Sequence, residues 1–217
     1  MVYYLDEDRI WFPPPENAEL DGLLAIGGDL SAERLQLAYH WGIFPWYSDE
    51  TPILWYSPHE RFVLFPSKVR ISKSMKQVMK RPVFRFTYDQ AFAEVIAACS
   101  VAPRPGQDGT WITADMQSAY NKLHRLGIAH SVEVWHQDQL VGGLYGIVVN
   151  KVFCGESMFS KMSNASKAAL IWLCQNKDFE MIDCQFHTSH LESMGAGFIS
   201  RKDYLSILQN PPKPEVP

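Results

Sequence analysis

The sequence of 217 residues lacks the features that mark secreted and membrane proteins. It has four cysteines, and no two of them have the short spacing typical of zinc ribbons or redox motifs. Its amino terminus carries acidic residues instead of a basic segment followed by an apolar run, so we expect no secretory leader. No apolar stretch reaches the ~20 residues needed to span a bilayer. These absences predict reduced thiols and a soluble, cytoplasmic protein with no membrane partner.

A basic surplus is also missing, because 24 acidic residues outnumber 20 lysines and arginines and give a net charge of -4. Nucleic-acid-binding proteins usually carry an excess of positive charge. One local basic segment stands out, since no acidic residue occurs between residues 61 and 87. From Lys68 to Arg81 it contains six basic residues, Lys68, Arg70, Lys73, Lys76, Lys80 and Arg81. We interpret this segment as a positive patch on an acidic protein.

Apolar residues make up 47% of the chain, which is enough for a packed core. Helical periodicity and capping residues predict a helix between Ser31 and Gly42, a short basic helix near 72–81, and an amphipathic helix opened by Asp89. A further helix should begin after Thr113 and end at Gly127. The Pro- and Gly-rich segment 101–109 is predicted to be a loop.

From Ala129 the pattern changes to a period of two, which predicts an antiparallel meander of strands through residue 159. An apolar helix capped by Ser163 or Asn164 should follow, then a strand over Met181–Gln185 and two short helices, the last capped by Ser200. Strands and helices are partly segregated along the chain. We therefore predict an α+β fold with a small N-terminal domain.

Two motifs invite readings that we reject. Gly142–Gly146 is rich in glycine but lies inside a strand pattern with no helix after it, so we expect a bulge or a close backbone approach instead of a phosphate loop. His187 and His190 are three residues apart, but a metal site would need at least one further ligand. We interpret both histidines as surface or hydrogen-bonding residues and predict no metal.

Polar side chains within the strand Met181–Gln185 are candidates for chemistry. Alternation places Asp183 and Gln185 on one face. A carboxylate beside an amide can fix the amide through its N-H group, which leaves the amide oxygen free to accept a hydrogen bond from a substrate amine. A satisfied polar pair at the end of a strand is the alternative.

Glu156 poses a related question, because a carboxylate among apolar neighbours is either exposed or in need of a cation or donors. A basic ligand would satisfy it, and so would an internal Arg or Lys. Trp46, Trp55 and Trp111 could similarly line an apolar pocket or simply belong to the core.

Six segments, taken together and in order, resemble the leucyl/phenylalanyl-tRNA-protein transferase family: Gly22–Leu30, Gly42–Trp46, Ile53–Pro58, Gly109–Thr113, Phe153–Phe159 and Ile182–Gln185. The resemblance runs from about Gly22 to Leu208. It implies a small N-terminal domain, at residues 1–62, and a larger domain at 63–217 that resembles the GCN5-related N-acetyltransferase fold.

The resemblance also implies an activity. Enzymes of this family take leucine or phenylalanine, and methionine less well, from aminoacyl-tRNA and join it to proteins that begin with Arg or Lys, which marks these proteins for degradation by the N-end rule pathway. Because the aminoacyl ester is already activated, we expect no cofactor, neither ATP nor a metal.

Carried over by position, the resemblance implies a role for each candidate residue. Asp183 and Gln185 match the catalytic pair, and Glu156 matches the carboxylate that meets the basic acceptor residue. The apolar side chain of the donor would be bound by Trp46, Trp111 and Leu144. The tRNA 3' end would be held through its phosphates by Lys73, Lys76, Lys80 and Arg81, unless these side chains form an ordinary solvated face.

Two other functions remain open from the sequence. A CoA-dependent N-acetyltransferase is suggested by the fold analogy, but it would need a pyrophosphate-binding loop that enters a helix, and we find none. A non-catalytic module that binds tRNA or peptides would leave Asp183 and Gln185 with a structural role only.

Overall fold

The computed structural model describes residues 2–103 and 110–209. The strands of this part of the chain are β1 (Tyr3–Leu5), β2 (Leu23–Gly27), β3 (Phe44–Pro45), β4 (Leu54–Tyr56), β5 (Glu60–Leu64), β6 (Arg85–Tyr88), β7 (Ala129–His136), β8 (Gln139–Val149), β9 (Val152–Ser160), β10 (Met181–Gln185) and β11 (Gly197–Ser200). Its α-helices are α1 (Ala32–His40), α2 (Lys73–Lys80), α3 (Phe92–Ser100), α4 (Ala114–Arg125), α5 (Ala165–Asn176), α6 (Ser189–Ser193) and α7 (Arg201–Leu208).

The strands form two sheets, which confirms the predicted α+β class. A small sheet near the amino terminus has the order β1-β2-β4-β3, and a large sheet has the order β11-β5-β10-β9-β8-β7-β6. The large sheet is antiparallel except where β9 and β10 run side by side in parallel. Strand β5 begins at Glu60 and already belongs to the large sheet, while the domain boundary at residue 63 stays a prediction.

Most helix ends lie where capping chemistry predicts them. The side chains of Ser31, Thr113 and Ser200 each accept a hydrogen bond from a backbone N-H in the first turn of the helix that follows. The meander β7-β8-β9 is also confirmed. Within residues 2–103 and 110–209, no helix is long and apolar enough to cross a bilayer.

The start of α3 corrects the prediction. The helix begins at Phe92 and not at Asp89, because the buried carboxylate of Glu133 accepts from the N-H groups of Gln90 and Ala91. Asp89 instead has a positive φ of 60° and accepts from the N-H of Ser131. A side chain of β7 therefore holds the two residues before the helix, which has no side-chain cap of its own, and this long-range contact leaves no local signal. Of the predicted loop 101–109, residues 104–109 lie outside the described part of the chain.

The large sheet separates two apolar cores, one on each face. Helices α3 and α4 contribute to one core, and α5 contributes to the other. Neighbouring residues of β9 show the separation, since Cys154 packs into the first core and Phe153 into the second. Each face of this sheet is therefore covered by helices.

Strands β9 and β10 stop pairing part-way along their length. Their parallel register ends at the pair Cys154 and Asp183, although β9 continues to Ser160. Two irregularities occur at this level: the β8-β9 register shifts at Gly146, and β10 shifts between Asp183 and Gln185. A Cβ atom at Gly146 would lie 2.3 Å from the carbonyl oxygen of Cys154, which explains the glycine and confirms the predicted close approach.

Candidate active site

A cavity of about 370 Å³ opens where β9 and β10 separate. Its walls are mostly apolar, and the polar residues of its lining include Glu156, Asp183 and Gln185. A concave, largely apolar cavity with a few convergent polar groups is the usual form of a ligand site. The sequence-predicted polar residues are thus brought together at one place in the structure.

Glu156 is 8% exposed, and its partners are neutral. Its carboxylate accepts from the Nε2 of Gln185 at 2.8 Å and from the hydroxyl of Tyr120 at 3.2 Å, and Tyr120 is in turn hydrogen-bonded to Tyr39. None of the ion pairs among described residues includes Glu156. Burial raises the pKa of this carboxyl to about 7, against the lowering effect of the hydrogen bonds from Tyr39, Tyr120 and Gln185.

Gln185 is held in a conformation that strands avoid. Its φ is 60°, in the left-handed region, and its backbone N-H donates to the Asp183 carboxylate at 2.8 Å. Since its Nε2 group donates to Glu156, its amide oxygen can accept a hydrogen bond within the cavity. Strained backbone of this kind is often found at binding and catalytic sites.

Asp183 is fully buried and bound to a cation of the protein itself. Its two carboxylate oxygens accept from Arg61 at 2.8–3.1 Å, and the hydroxyl of Tyr204 donates to it at 2.9 Å. Arg61 also donates to the carbonyl of Gly42 in the N-terminal part of the chain. Burial lowers the pKa of Arg61, but the negative charge of Asp183 has the larger combined effect and raises this pKa above its ordinary value. This pair carries no net charge into the cavity.

The contacts of Asp183 correct one expectation from the sequence. Its carboxylate does not hold the side-chain amide of Gln185, because that amide is bound by Glu156. Asp183 fixes the backbone of Gln185 instead. The register shift after Asp183 breaks the strict alternation on which the expected contact depended.

Aromatic and aliphatic side chains form the rest of the wall. Trp46, Trp111 and Leu144 all line the cavity, and the rings of Trp46 and Phe186 pack in a tilted arrangement with centroids 4.9 Å apart. Trp55 does not line it, since this side chain is fully buried and packs on Phe12. Two of the three tryptophans that the sequence singled out therefore border the cavity and one belongs to the core.

The basic stripe lies outside the cavity, on helix α2. Lys73, Lys76, Lys80 and Arg81 are all exposed, and none of them lines the cavity. The buried side of α2 carries Met75, which packs into the same core as α5. The stripe is therefore found on the α5 side of the large sheet.

The decisive observation for the family comes from comparison with known proteins. A family model described as "Leucyl/phenylalanyl-tRNA protein transferase" matches residues 63–209, and the model of that family's N-terminal domain matches residues 28–59. The chain belongs to the leucyl/phenylalanyl-tRNA protein transferase family. It is therefore an aminoacyltransferase, and its small N-terminal and larger C-terminal parts are those of the family.

Individual members of the family are similar over nearly their whole length. A leucyl/phenylalanyl-tRNA-protein transferase from Syntrophobacter fumaroxidans is 55% identical over 95% of this chain and 89% of its own. Another, from Flavobacterium johnsoniae, is 51% identical over 96% of this chain and 100% of its own.

Solved structures show weaker likenesses. A conserved protein of unknown function from Staphylococcus epidermidis has a TM-score of 0.44 at 10% identity, covering 82% of this chain and 68% of that one. A GCN5-related N-acetyltransferase-like protein from Streptococcus suis has a TM-score of 0.36 at 13% identity, covering 81% of this chain and 67% of that one. At TM-scores below 0.5, neither likeness bears on the reaction of this transferase family member.

Several residues in or next to the cavity were missed by sequence reasoning. Arg61, which neutralises Asp183, follows an acidic residue at the start of a strand and shows no special spacing. Tyr39 and Tyr120 occupy ordinary buried positions of their helices, so no pattern in the sequence marks them as part of the site. His190 lines the cavity, whereas His187 is bound to Glu192 outside it. Only the folded chain distinguishes these two histidines.

Proposed function

We propose that this aminoacyltransferase moves leucine or phenylalanine, and methionine less well, from aminoacyl-tRNA to the N-terminal amine of proteins that begin with Arg or Lys. The product is a substrate for degradation by the N-end rule pathway, and the reaction takes place in the cytoplasm, where charged tRNA is made. The observation that carries the proposal is the pair of buried carboxylates, one neutralised by Arg61 and the other without a cation among the described residues.

The acceptor's positive side chain binds at Glu156. Asp183 already has Arg61 as its counterion, whereas the contacts of Glu156 are a tyrosine hydroxyl and an amide. A buried carboxylate without a cation is costly, and an entering guanidinium or ammonium group lowers that cost. An acceptor that begins with Arg or Lys is thus favoured over one that begins with a neutral or acidic residue.

The reacting amine is positioned by Gln185. An N-terminal amine has an ordinary pKa of about 7.7 to 8.0, so a useful fraction is neutral at physiological pH. The amide oxygen of Gln185 accepts a hydrogen bond from this amine while Glu156 holds the amide and Asp183 holds the backbone. The amine nitrogen then attacks the ester carbonyl and forms a C-N bond. The bond between the carbonyl carbon and the ribose oxygen breaks, and that oxygen takes up the proton that the amine loses.

Positioning is the main contribution of the enzyme, since an ester is already activated toward an amine. Holding two reactants together contributes on the order of 7 kcal/mol or more. This reaction needs no cofactor. Asp183 and Gln185 accordingly act as the pair that places the amine, with Asp183 as the residue that fixes Gln185.

The apolar part of the cavity receives the donor's side chain. Trp46, Trp111 and Leu144 border it, together with Met158 and Leu170. A difference of one methylene in such a pocket changes the free energy of transition-state binding by only ~1 to 3 kcal/mol. Several large apolar side chains are therefore accepted. The exposed lysines of α2 hold the tRNA through its phosphates.

The proposal is tested by mixing the purified protein with labelled Phe-tRNA and an Arg-initiated peptide, with a Glu-initiated peptide as the control. A new amide on the Arg peptide alone is expected. Gln185→Ala should lower the transfer rate at least tenfold while tRNA affinity changes little, and Gln139→Ala, at the exposed first residue of β8, should leave both unchanged. Binding of tRNA without any amide would favour a non-catalytic module.

A further inference from the structure

We infer that His190 contacts the nucleoside end of the donor, where its Nε2 atom forms a hydrogen bond with the free ribose hydroxyl next to the aminoacyl ester. This inference rests on the proposed function and adds a binding residue to it. It starts from one atom: the Nε2 of His190 is buried, and no described residue forms a hydrogen bond with it. His190 also lines the cavity.

A buried polar atom without a partner is uncommon in folded proteins. Most such atoms are bonded to protein or water, and leaving one unsatisfied costs about 1 to 3 kcal/mol. Such atoms do occur at ligand sites, because the bound ligand supplies the missing hydrogen-bond partner. Since His190 borders the cavity, a ligand in this cavity can reach the atom.

The side of the sheet on which His190 lies points to the donor. Leu170 and Leu191, which also border the cavity, belong to or pack against the core that contains α5, and Leu191 is the next residue after His190. Glu156, which we propose for the acceptor, hydrogen-bonds to Tyr120 of α4 on the opposite side. Three residues that we propose for the donor's side chain, Leu144, Met158 and Leu170, belong to or pack against the core of α5, so the donor and His190 share that side of the cavity.

The charges on the α5 side favour a nucleotide. The positive charge of Lys167, on α5, acts directly on His190. Helix α2, which carries the exposed residues Lys73, Lys76 and Lys80, packs into the same core. These lysines and His190 therefore lie on the same side of the large sheet, where a phosphate would be attracted.

The protonation state of His190 suits a hydroxyl partner. Burial lowers the pKa of His190 below its ordinary value, and the charge of Lys167 lowers it further. The ring is therefore neutral at physiological pH, and Nε2 is a donor or an acceptor depending on the tautomer. A hydroxyl can both donate and accept, so it matches either tautomer.

The experiment measures equilibrium binding of two stable analogues of the donor end. Both carry phenylalanine in amide linkage on the ribose of adenosine, and only one has the neighbouring free hydroxyl. The wild-type protein should bind the hydroxyl analogue about five- to tenfold more tightly, the effect of one hydrogen bond. His190→Phe, which keeps a ring of similar size, should bind both analogues equally.

His187→Phe is the matched control. This side chain is three residues away, contacts Glu192, Phe62 and Phe198, and does not line the cavity. It should keep the wild-type preference for the hydroxyl, and thermal unfolding of all three proteins shows whether each is folded. The inference is overturned if His190→Phe keeps the preference, or if the wild type shows none.

A failure of the proposed function looks different. In that case the wild-type protein forms no amide from Phe-tRNA and an Arg peptide, whatever its preference between the two analogues. Another outcome is that the wild type transfers phenylalanine and His190→Phe loses affinity for both analogues by the same factor. The preference for the hydroxyl would then be unchanged, and only the proposed contact with the hydroxyl would be overturned.

Discussion

The side-chain amide of Gln185 donates to the carboxylate of Glu156 at 2.8 Å, across the gap where the backbones of β9 and β10 no longer pair. A backbone hydrogen bond between the strands is replaced here by one between side chains. Glu156 therefore has two tasks in the proposed reaction, since one carboxylate orients the amide that meets the amine and also attracts the acceptor's cation.

Replacing Glu156 by Gln should separate these two tasks. The new amide can still present an oxygen to the Nε2 of Gln185, but it no longer carries a negative charge. We expect KM for an Arg-initiated peptide to rise about 10- to 100-fold, the effect of a charged hydrogen bond, while kcat falls less. Steady-state kinetics would measure this, and the preference for Arg over Ala at the acceptor's terminus should largely disappear.

Glu94→Gln is the matched control for that substitution, because Glu94 is an exposed residue of α3 and does not line the cavity. It should leave KM unchanged. An Arg preference that survives in Glu156→Gln would show that the acceptor's charge is recognised elsewhere.

Stability should depend on pH through the same carboxyl. The ordinary pKa of Glu is 4.5, and in the folded protein the pKa of Glu156 is about 7. Between these values the folded state binds more protons than the unfolded state, so the free energy of unfolding falls as pH rises. The total decrease is on the order of 3 kcal/mol.

Urea denaturation at pH values of about 5 and about 8 would measure this decrease. Glu156→Gln does not titrate, so its free energy of unfolding should fall less than that of the wild type over this interval, and Glu94→Gln should follow the wild type. Identical pH dependence in Glu156→Gln and the wild type would contradict the raised pKa.

Breaking the buried pair of Arg61 and Asp183 should destabilise the fold. Arg61→Met leaves the Asp183 carboxylate buried without its cation, and losses of about 3 to 5 kcal/mol are typical of such changes. Chemical denaturation would measure the loss. Arg85→Met removes an exposed partner of Asp138 and should cost less than about 1 kcal/mol; equal losses from the two substitutions would argue against the buried pair.

The lysines of α2 should contribute to tRNA affinity through charge. Lys76→Gln is expected to weaken binding and to reduce the slope of log affinity against log salt by about 0.7 to 0.9, the effect of one phosphate contact. Fluorescence titrations at several salt concentrations would measure it. Lys122→Gln removes an exposed charge from α4, on the opposite side of the sheet, and should leave the slope unchanged; a flat response in both variants would place the tRNA elsewhere.

Much of the local structure could be predicted from neighbouring residues alone. Caps such as Ser31 and Thr113 act on backbone groups within one turn, and the turn between β7 and β8 depends on two adjacent residues, Gln137 and Asp138, with positive φ. The start of α3 could not be predicted in this way. The residues just before it are held by Glu133, which is more than 40 residues away in the sequence.

The candidate site shows the same division. The sequence by itself determined which residue types were available, an acid and an amide on one strand, a second acid on another and several apolar side chains, because composition and period are written in the chain. Only the tertiary structure decided their partners. Arg61 comes from β5 and Tyr120 from α4. Where β9 and β10 separate, the side-chain amide of Gln185 binds Glu156 and not Asp183. Ion pairs and hydrogen bonds act over a few ångströms of space, and distance along the chain does not define them.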